Sequence, residues 1–371
     1  MFRTMSFAMT AAFLPLLSST VSHAAEIPAR LSETRALDGE LDRFIAEARK
    51  SAGTLDGFER DVRAARQDVE KAIQVTTSIR RNDERLRRLI RQLRPYESIP
   101  KVRTAVQVLA RNLREIQTMF HKVRTRTDSA ERNVLRPTAQ RLRKFEGDLR
   151  EHRRKILAMV SDAEQARTRL SQTARIADSQ NAARRSLEHA ARAVRPRIQS
   201  LSNSFAEVNS LAANFRAELS TMRRGLASFW TVQNSLAHMD RQLKPAENTI
   251  GQLDRVLSRR VEVKLFTKTF GFSVREVLET PGKIAGPILR PIESQVERLL
   301  QPLLNRLNIR IDPPKGLDAL LGSLTRLTTA SNKLEQSLKQ TEEKLTGNVL
   351  RSTQRFQDLL RQPPLNGTVG R

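Results

Sequence analysis

The stretch that decides the fold runs from Leu37 to Leu93 and reads LDGELDRFIAEARKSAGTLDGFERDVRAARQDVEKAIQVTTSIRRNDERLRRLIRQL. Apolar residues recur along it at alternating steps of four and three, and only Ser51, Thr76 and Asp83 interrupt the series. A helix with this 3.5-residue period carries one narrow apolar seam, which is stable only when another helix covers it. The seam positions are Leu37, Leu41, Phe44, Ala48, Ser51, Leu55, Phe58, Val62, Ala65, Val69, Ala72, Thr76, Ile79, Asp83, Leu86, Ile90 and Leu93.

The same period returns in three later segments, 102–134, 142–194 and 198–243. Their seams are filled mainly by Leu, Val, Ile and Ala, and aromatic residues make up only 4% of the chain. Such a thin apolar stripe suits packing of helix on helix. The sequence therefore predicts an all-α fold, an elongated antiparallel bundle or coiled coil of long heptad-patterned helices.

Five triplets that read apolar, basic, proline punctuate the helical segments. Proline ends one helix and is favoured in the first turn of the next, so each triplet predicts a stop and a start. The heptad phase slips by one residue at Pro137 but continues through Pro196 and Pro245, where a kink is the alternative to a reversal. We favour reversal, because a continuous helix over 138–260 would lack a partner of comparable length. The triplets are Leu93-Arg94-Pro95, Leu135-Arg136-Pro137, Val194-Arg195-Pro196, Leu243-Lys244-Pro245 and Leu289-Arg290-Pro291.

The helical pattern changes between residues 261 and 314. Val261, Val263 and Leu265 alternate with polar residues in a strand-like run, and prolines and glycines then divide short apolar stretches. We therefore expect a bundle over 25–260, a short irregular cap or tip over 261–314, a C-terminal helix over 315–361 that packs on the bundle, and a loose tail over 362–371.

The first 24 residues have the layout of a signal peptide. Arg3 supplies a positive start, Phe7 to Leu17 an apolar core of secretory length, and Ser22-His23-Ala24 a small-x-small cleavage site. We expect cleavage after Ala24 and an exported protein, periplasmic or secreted. The chain contains no cysteine, which excludes disulfides, thiol chemistry and cysteine-based metal sites.

The positive charge is concentrated in the middle of the chain. Residues 80–311 hold 47 basic and 23 acidic side chains, whereas 26–79 hold 9 basic and 11 acidic ones. A surface of this kind attracts anionic polymers or lipid headgroups through counterion release. The alternative is a basic protein without a dedicated anionic ligand, whose charges serve solubility and helix pairing. The anion-binding candidates are Arg80, Arg81, Arg85, Arg88, Arg91, Arg143, Lys144, Arg153, Arg154 and Lys155.

Two segments could contact a membrane. The first is the 261–292 tip, where Leu265, Phe266, Phe270 and Phe272 are candidate membrane anchors, although these side chains could instead plug the open end of the bundle. The second is Gly225–Met239, a stretch that contains no charged residue. We prefer the interpretation of this stretch as a central helix surrounded by neighbours, because its Asn, Gln and His side chains would need partners in lipid.

No catalytic, cofactor or metal-ligand pattern is recognisable. The histidines His121, His152, His189 and His238 are far apart, and His152 takes a seam position where a polar residue that sets the helix register is the more common interpretation. There is no phosphate-binding glycine loop, nucleophile elbow or calcium loop. We expect no enzyme, no cofactor and no small-molecule substrate.

The leading functional hypothesis is a non-enzymatic exported coiled-coil protein with a structural or binding role at the cell envelope. Its partners would be anionic polymers or lipid headgroups, and other helices through the heptad seams, including a second copy of the chain. The alternative is a membrane-active helical protein, either a pore-forming toxin or an accessory subunit of one.

Overall fold

The structure, a computed structural model, describes residues 27–99, 102–177, 181–265, 268–273, 275–276, 286–305 and 313–361. Most of these residues are helical, which confirms the all-α helical bundle. In chain order the elements are α1 (Ile27–Leu93), a 3₁₀ turn (Arg94–Ser98), α2 (Arg103–Ala130), a π-helical segment (Glu131–Leu135), α3 (Arg136–Ala177), α4 (Asn181–Leu257), β1 (Arg260–Leu265), β2 (Lys268–Ser273), α5 (Gly286–Asn305), α6 (Leu317–Lys344), a second π-helical segment (Leu345–Leu350) and α7 (Arg351–Arg361).

The chain divides into two compact units, and the first takes residues up to 64, 141–220 and those from 332 onward. Here α1 and α3 are antiparallel, because Glu59 pairs with Arg150 at 2.6 Å while the earlier Asp38 pairs with the later Arg167 at 2.9 Å. Helix α4 runs parallel to α1, since Phe44 contacts Phe205 and the later Phe58 contacts Phe215. Ser204 on α4 meets Ser352 on α7, and Arg141 on α3 pairs with Glu335 on α6, so the C-terminal helical segments also pack on this core.

The second unit takes residues 65–140 and 221–331. Helices α1 and α2 are antiparallel in it, which confirms the predicted reversal at Pro95. Three side-chain hydrogen bonds join α1 to α2 and the π-helical segment that continues it. They connect Thr76 with Glu131 at 2.6 Å, Arg80 with Asp128 at 2.7 Å and Asp83 with Arg124 at 2.8 Å. Helix α4 packs on α1 through Arg223 and Asp68, and on α6 through Ser228 and Ser323.

The predicted α1 seam is the buried face of the helix. From Leu41 to Leu93 the apolar seam residues are buried except Ile90, which is half-buried next to the buried Leu89. The side chain of Leu37 lies outside the described part of the structure. The three polar interruptions are buried as well. Thr76 and Asp83 find hydrogen-bond partners on the helical segment that faces them, whereas the Ser51 hydroxyl has none among the described residues. In the second segment the spacing places Leu109 on the seam, but Leu109 is only half-buried and the neighbouring Ala110 is the buried residue of that turn of α2.

Reversal at Pro196 and Pro245 is wrong, because α4 continues through both prolines for 77 residues. A helix of comparable length does cover α4: α1 has 67 residues and lies alongside α4 in each unit. An internal proline costs about 3 kcal/mol, whereas each buried CH₂ of the seam contributes about 0.8 kcal/mol, so an unbroken apolar face outweighs the proline.

The stop predicted at Pro137 is likewise wrong, and the phase slip there has a structural cause. Residues Glu131–Leu135 form a π-helical segment in which the Arg136 N–H donates to the Glu131 carbonyl, five residues back. A π-helical turn holds one residue more than an α-turn, so it absorbs the extra residue without ending the helix. Pro291 also lies inside a helix, α5.

The 261–314 segment is more regular than predicted. The strand-like alternation corresponds to β1, which pairs with β2 in an antiparallel hairpin that sets Val261 opposite Phe272 and Val263 opposite Phe270. The 20-residue helix α5 follows and contains Pro287, Pro291 and Pro302. Pro287 takes the second position of this helix, where the first turn tolerates a missing N–H.

The charge-poor stretch Gly225–Met239 buries only one face of α4. Leu226, Phe229 and Val232 are buried, whereas Gln233 and Asn234 are exposed. The prediction that neighbours surround this stretch on several sides is therefore wrong, since its uncharged polar side chains meet solvent.

Candidate anion-binding surface

The end of α1 carries the densest run of arginines in the second unit. Leu86, Leu89 and Leu93 are buried at the seam, so the intervening arginines on the outer face are directed to solvent. Arg81, Arg88, Arg91 and Arg94 are exposed. Cationic side chains near a helix C-terminus also interact favourably with the helix dipole, which helps to retain them there.

Arg80 and Arg85, two of the predicted anion-binding residues, are engaged inside the protein. Arg80 donates to Asp128 at 2.7 Å and to Glu131 at 3.1 Å, and the hydrogen bond with Asp128 raises its pKa despite partial burial. The Arg85 side chain is only 16% exposed and donates to Asp240 and Glu247 on α4. Both guanidinium groups therefore hold helices together and are poorly placed for an external anion.

The basic residues of α3, in the first unit, also fall into two groups, those that pair with carboxylates and those that are exposed. Arg153 pairs with Asp56 and approaches Glu59 at 3.5 Å, so this predicted binding residue connects α3 to α1. Lys155 pairs with Glu151 at 2.7 Å on its own helix. The remaining candidates Arg143, Lys144 and Arg154 are exposed. Acidic residues from the N-terminal half of α1 thus neutralise part of the positive charge that the sequence places on α3.

A cleft of about 600 Å³ in the second unit gathers four of the arginines. Arg88 and Arg91 reach it from the last turns of α1, Arg94 from the 3₁₀ turn, and Arg275 from the segment that follows β2. Among the described lining residues the carboxylate is Asp254, near the end of α4, which accepts a hydrogen bond from Arg275 at 2.7 Å. The wall also includes Gln92, Pro95 and Ser98.

A buried tyrosine lies close to this cleft. Tyr96 belongs to the same 3₁₀ turn as Arg94, is fully buried, and its hydroxyl has no hydrogen-bond partner within the described part of the chain. Burial raises the pKa of this hydroxyl, and Asp254 raises it further while Arg275 opposes that effect. The turn that carries Arg94 is therefore anchored by an aromatic side chain that remains neutral at physiological pH.

The sequence pointed to Arg88 and Arg91 but missed Arg94 and Arg275. Arg94 ends the dense basic run that begins at Arg80 and is also the basic member of a helix-ending triplet, but it is not among the predicted anion-binding residues. Nothing in the sequence connects Arg275 with the end of α1, because the two are brought together by the fold of the hairpin region. The signal for a site is thus the convergence of distant arginines.

The membrane-contact prediction stays a prediction. The side chains of Leu265, Phe266, Phe270 and Phe272 fall outside the described part of the structure. Within the described helices, none combines the length and the apolar character that a bilayer crossing requires.

A metal centre is not formed by the residues whose side chains are described: no three of their His, Asp or Glu side chains cluster in a way that could hold an ion. The seam residue His152 is half-buried, and burial together with Lys155 lowers its pKa.

No protein-family model matches this chain, and no curated protein sequence is significantly similar to it.

Proposed function

We propose that this chain is a non-enzymatic, exported helical-bundle protein that serves as a scaffold or binding surface at the cell envelope. Its 80–311 region holds anionic polymers or lipid headgroups. The heptad seams hold the long helices together within each unit, and the arginines outside the seams provide the contact.

The observation that carries this proposal is the exposed arginine surface that remains at the end of α1. Arg80 and Arg85 are engaged with carboxylates of the bundle, but Arg88 and Arg91 lie on the outer face, and Arg94 and Arg275 join them. This group of arginines, which outnumbers the carboxylates among the described residues of the cleft, produces a positive potential that draws polyanions whatever their sequence.

The proposal is tested by measuring binding of the purified protein to heparin, duplex DNA, lipopolysaccharide and phosphatidylglycerol vesicles over a salt series. Affinity is expected to fall steeply between low and moderate salt, because several anionic groups are neutralised at once. Zwitterionic vesicles are the control and are expected not to bind. Retention that does not change with salt, or no retention at low salt, contradicts the proposal.

Two variants separate the charge from the fold. Arg88→Gln with Arg91→Gln is expected to weaken heparin binding and leave the helix content unchanged, since both side chains are exposed. Arg88→Lys with Arg91→Lys keeps the charge and is expected to retain most of the affinity. Arg85 is unsuitable for this test, because its replacement would remove a contact between α1 and α4.

Export is tested separately. The chain is expressed in a Gram-negative host and the cells are fractionated. We expect the protein outside the cytoplasm, with an intact mass that matches a chain beginning at Ala25. An unprocessed cytoplasmic protein would remove the envelope part of the proposal and leave the binding surface to be judged by the salt series.

A further inference from the structure

We propose that the cleft lined by Arg88, Arg91, Arg94 and Arg275 is a saturable site for a compact phosphoryl anion with at least two negative charges. Pyrophosphate and phosphate monoesters have this chemistry. The inference rests on the proposed function, since it names where on the basic surface one ligand is held and of which chemical class it is.

The first argument is the convergence of like charges. Three segments, the end of α1, the 3₁₀ turn and the residues after β2, each contribute arginines to the lining of one cleft of about 600 Å³. Asp254 is the carboxylate among the lining residues that the structure describes. Like charges that converge in this way repel one another, and an anion bound between them removes the repulsion.

The second argument is the state of Arg275. Its Nη2 donates to Asp254 Oδ1 at 2.7 Å, which fixes the orientation of the guanidinium plane. Its Nε is buried and has no hydrogen-bond partner among the residues that the structure describes. A buried donor without an acceptor costs free energy, and a rotation of the Arg275 side chain toward an anion bound in the cleft would give its Nε an acceptor.

The helix dipole does not explain the whole arrangement. Arginines in the last turns of α1 complement the dipole, which accounts for Arg88, Arg91 and Arg94 as solvated side chains. It gives no reason for Arg275 to line the same cleft; the ion pair with Asp254 holds Arg275 there and still leaves its Nε without a partner among the described residues.

The charge balance selects the ligand class. A carboxylate has two oxygens and one charge, so a single bidentate arginine satisfies it and leaves the other arginines of the cleft uncompensated. A pyrophosphate or a phosphate monoester presents several non-bridging oxygens with two or more charges. The planar fork of arginine matches the geometry of these oxygens.

The test is isothermal titration of the full chain with pyrophosphate. We expect saturable binding of one pyrophosphate per chain. Arg91→Gln and Arg275→Gln are each expected to weaken it about tenfold or more, the usual effect of losing a charge-assisted hydrogen bond. Arg275→Lys keeps the charge but not the fork and is expected to weaken binding as well. Arg91 is exposed on α1, so its replacement tests the site even if the Arg275 variants fail to fold.

The matched control is the triple variant Arg111→Gln, Lys122→Gln and Arg126→Gln, which removes three exposed charges of α2 outside the cleft. It is expected to weaken heparin binding but to keep pyrophosphate affinity within about twofold, because a surface charge contributes little to a distant site in salt. Equal loss of pyrophosphate binding in the control and the cleft variants, or no saturable binding at all, overturns the site. If heparin binding persists while pyrophosphate binding is absent, only this inference fails.

Vesicles distinguish the source of the phosphoryl group. If the ligand is a lipid headgroup, the chain is expected to bind vesicles that contain phosphatidic acid, and free pyrophosphate is expected to displace it. If the ligand is a free phosphoryl compound, pyrophosphate binds while phosphatidic acid does not compete for the cleft. Both outcomes support the phosphoryl site. Displacement that is unaffected by Arg275→Gln contradicts it.

Discussion

Glu131 shows how single polar residues are accommodated in a thin apolar core. Its carboxylate is buried and accepts hydrogen bonds from Thr76 at 2.6 Å, Arg136 at 2.7 Å and Arg80 at 3.1 Å. Burial alone would raise its pKa, but the hydrogen bonds from Thr76 and Arg136 hold the pKa below the ordinary value of 4.5. Thr76 interrupts the seam of α1, so the interruption on one helix is matched by a carboxylate at the start of the π-helical segment opposite.

Replacement of this carboxylate is expected to lower stability in a pH-dependent way. A carboxyl with a pKa that is lower in the folded than in the unfolded state stabilises the protein above pH 4.5, and this contribution is lost as the pH falls through the lower folded value. Glu131→Gln is therefore expected to cost roughly 1–3 kcal/mol near neutral pH and less in acid. Urea unfolding over a pH series measures the difference. The exposed Glu115→Gln on α2 is the control, and a cost for Glu131→Gln that is constant with pH would contradict this account.

Phe58 occupies the centre of an aromatic cluster in the first unit. Its ring lies 4.6 Å from Phe215 on α4 and 5.8 Å from Phe145 on α3, measured between centroids. Phe58→Ala is expected to destabilise the protein by about 3–5 kcal/mol, because three helices cannot close the cavity without losing their other contacts. Leu157, 44% exposed on α3, is the control, and Leu157→Ala is expected to change the unfolding free energy by less than about 1 kcal/mol. A similar thermal midpoint for both variants would show that the cluster does not form.

At the scale of the helical elements, the same sequence triplet places proline in two different structural settings. Pro95 takes the second position of the 3₁₀ turn after α1, where its missing N–H costs nothing. Pro196 and Pro245 lie in the interior of α4, where a backbone hydrogen bond is absent. The two situations share the apolar-basic-proline triplet, and they differ in whether a neighbouring helix continues to cover the seam beyond it.

Alanine replacement distinguishes a proline inside a helix from one that begins a turn. Pro196→Ala and Pro245→Ala are each expected to stabilise the protein by roughly 1–3 kcal/mol, because alanine restores the N–H and relieves the clash with the carbonyl four residues earlier. Pro95→Ala is expected to give no gain or a small loss, since the unfolded chain becomes more flexible. The measurement is the unfolding free energy from urea titration. A loss at Pro196 and Pro245 would mean that α4 breaks there.

At the scale of the whole molecule, the chain covers its own seams. Phe44, Phe58 and Val62 on α1 are fully buried within one copy, as are Leu201 and Leu226 on α4. Among the residues whose exposure is described, the large exposed apolar side chains are Val108 and Leu157. An uncovered stripe of leucines, which would require a second copy, is therefore not seen in this part of the chain.

Dilution is accordingly expected to leave the helix content unchanged. Circular dichroism over a roughly hundredfold concentration range should give one spectrum, because the seams in the described part of the chain are buried within one copy. Light scattering on the same samples should give the mass of one chain. A helix content that falls on dilution, or a mass that rises with concentration, would instead support the homo-oligomer that the heptads also permit.

The sequence by itself determined the helical elements and their buried faces. The seam of α1 is a property of residue spacing within one helix, so it can be predicted from local geometry. The same holds for the phase slip near Pro137, which appears as a π-helical segment, and for the alternation over Val261–Leu265, which appears as β1. The exposed arginines Arg88 and Arg91 follow from the same spacing, because they lie between the seam positions.

Only the tertiary structure decided how the chain turns and which charges remain outside. Whether Pro196 and Pro245 reverse the chain depends on α1, which lies beside α4 and covers its seam past both prolines. Arg85 and Arg88 belong to the same basic run of α1. Arg85 nevertheless meets Glu247, 162 residues away, while Arg88 lines the cleft that Arg275 joins. The physical reason is that the net charge of a site depends on which distant side chains the fold brings within a few ångströms, and residue spacing along one helix carries no information about them.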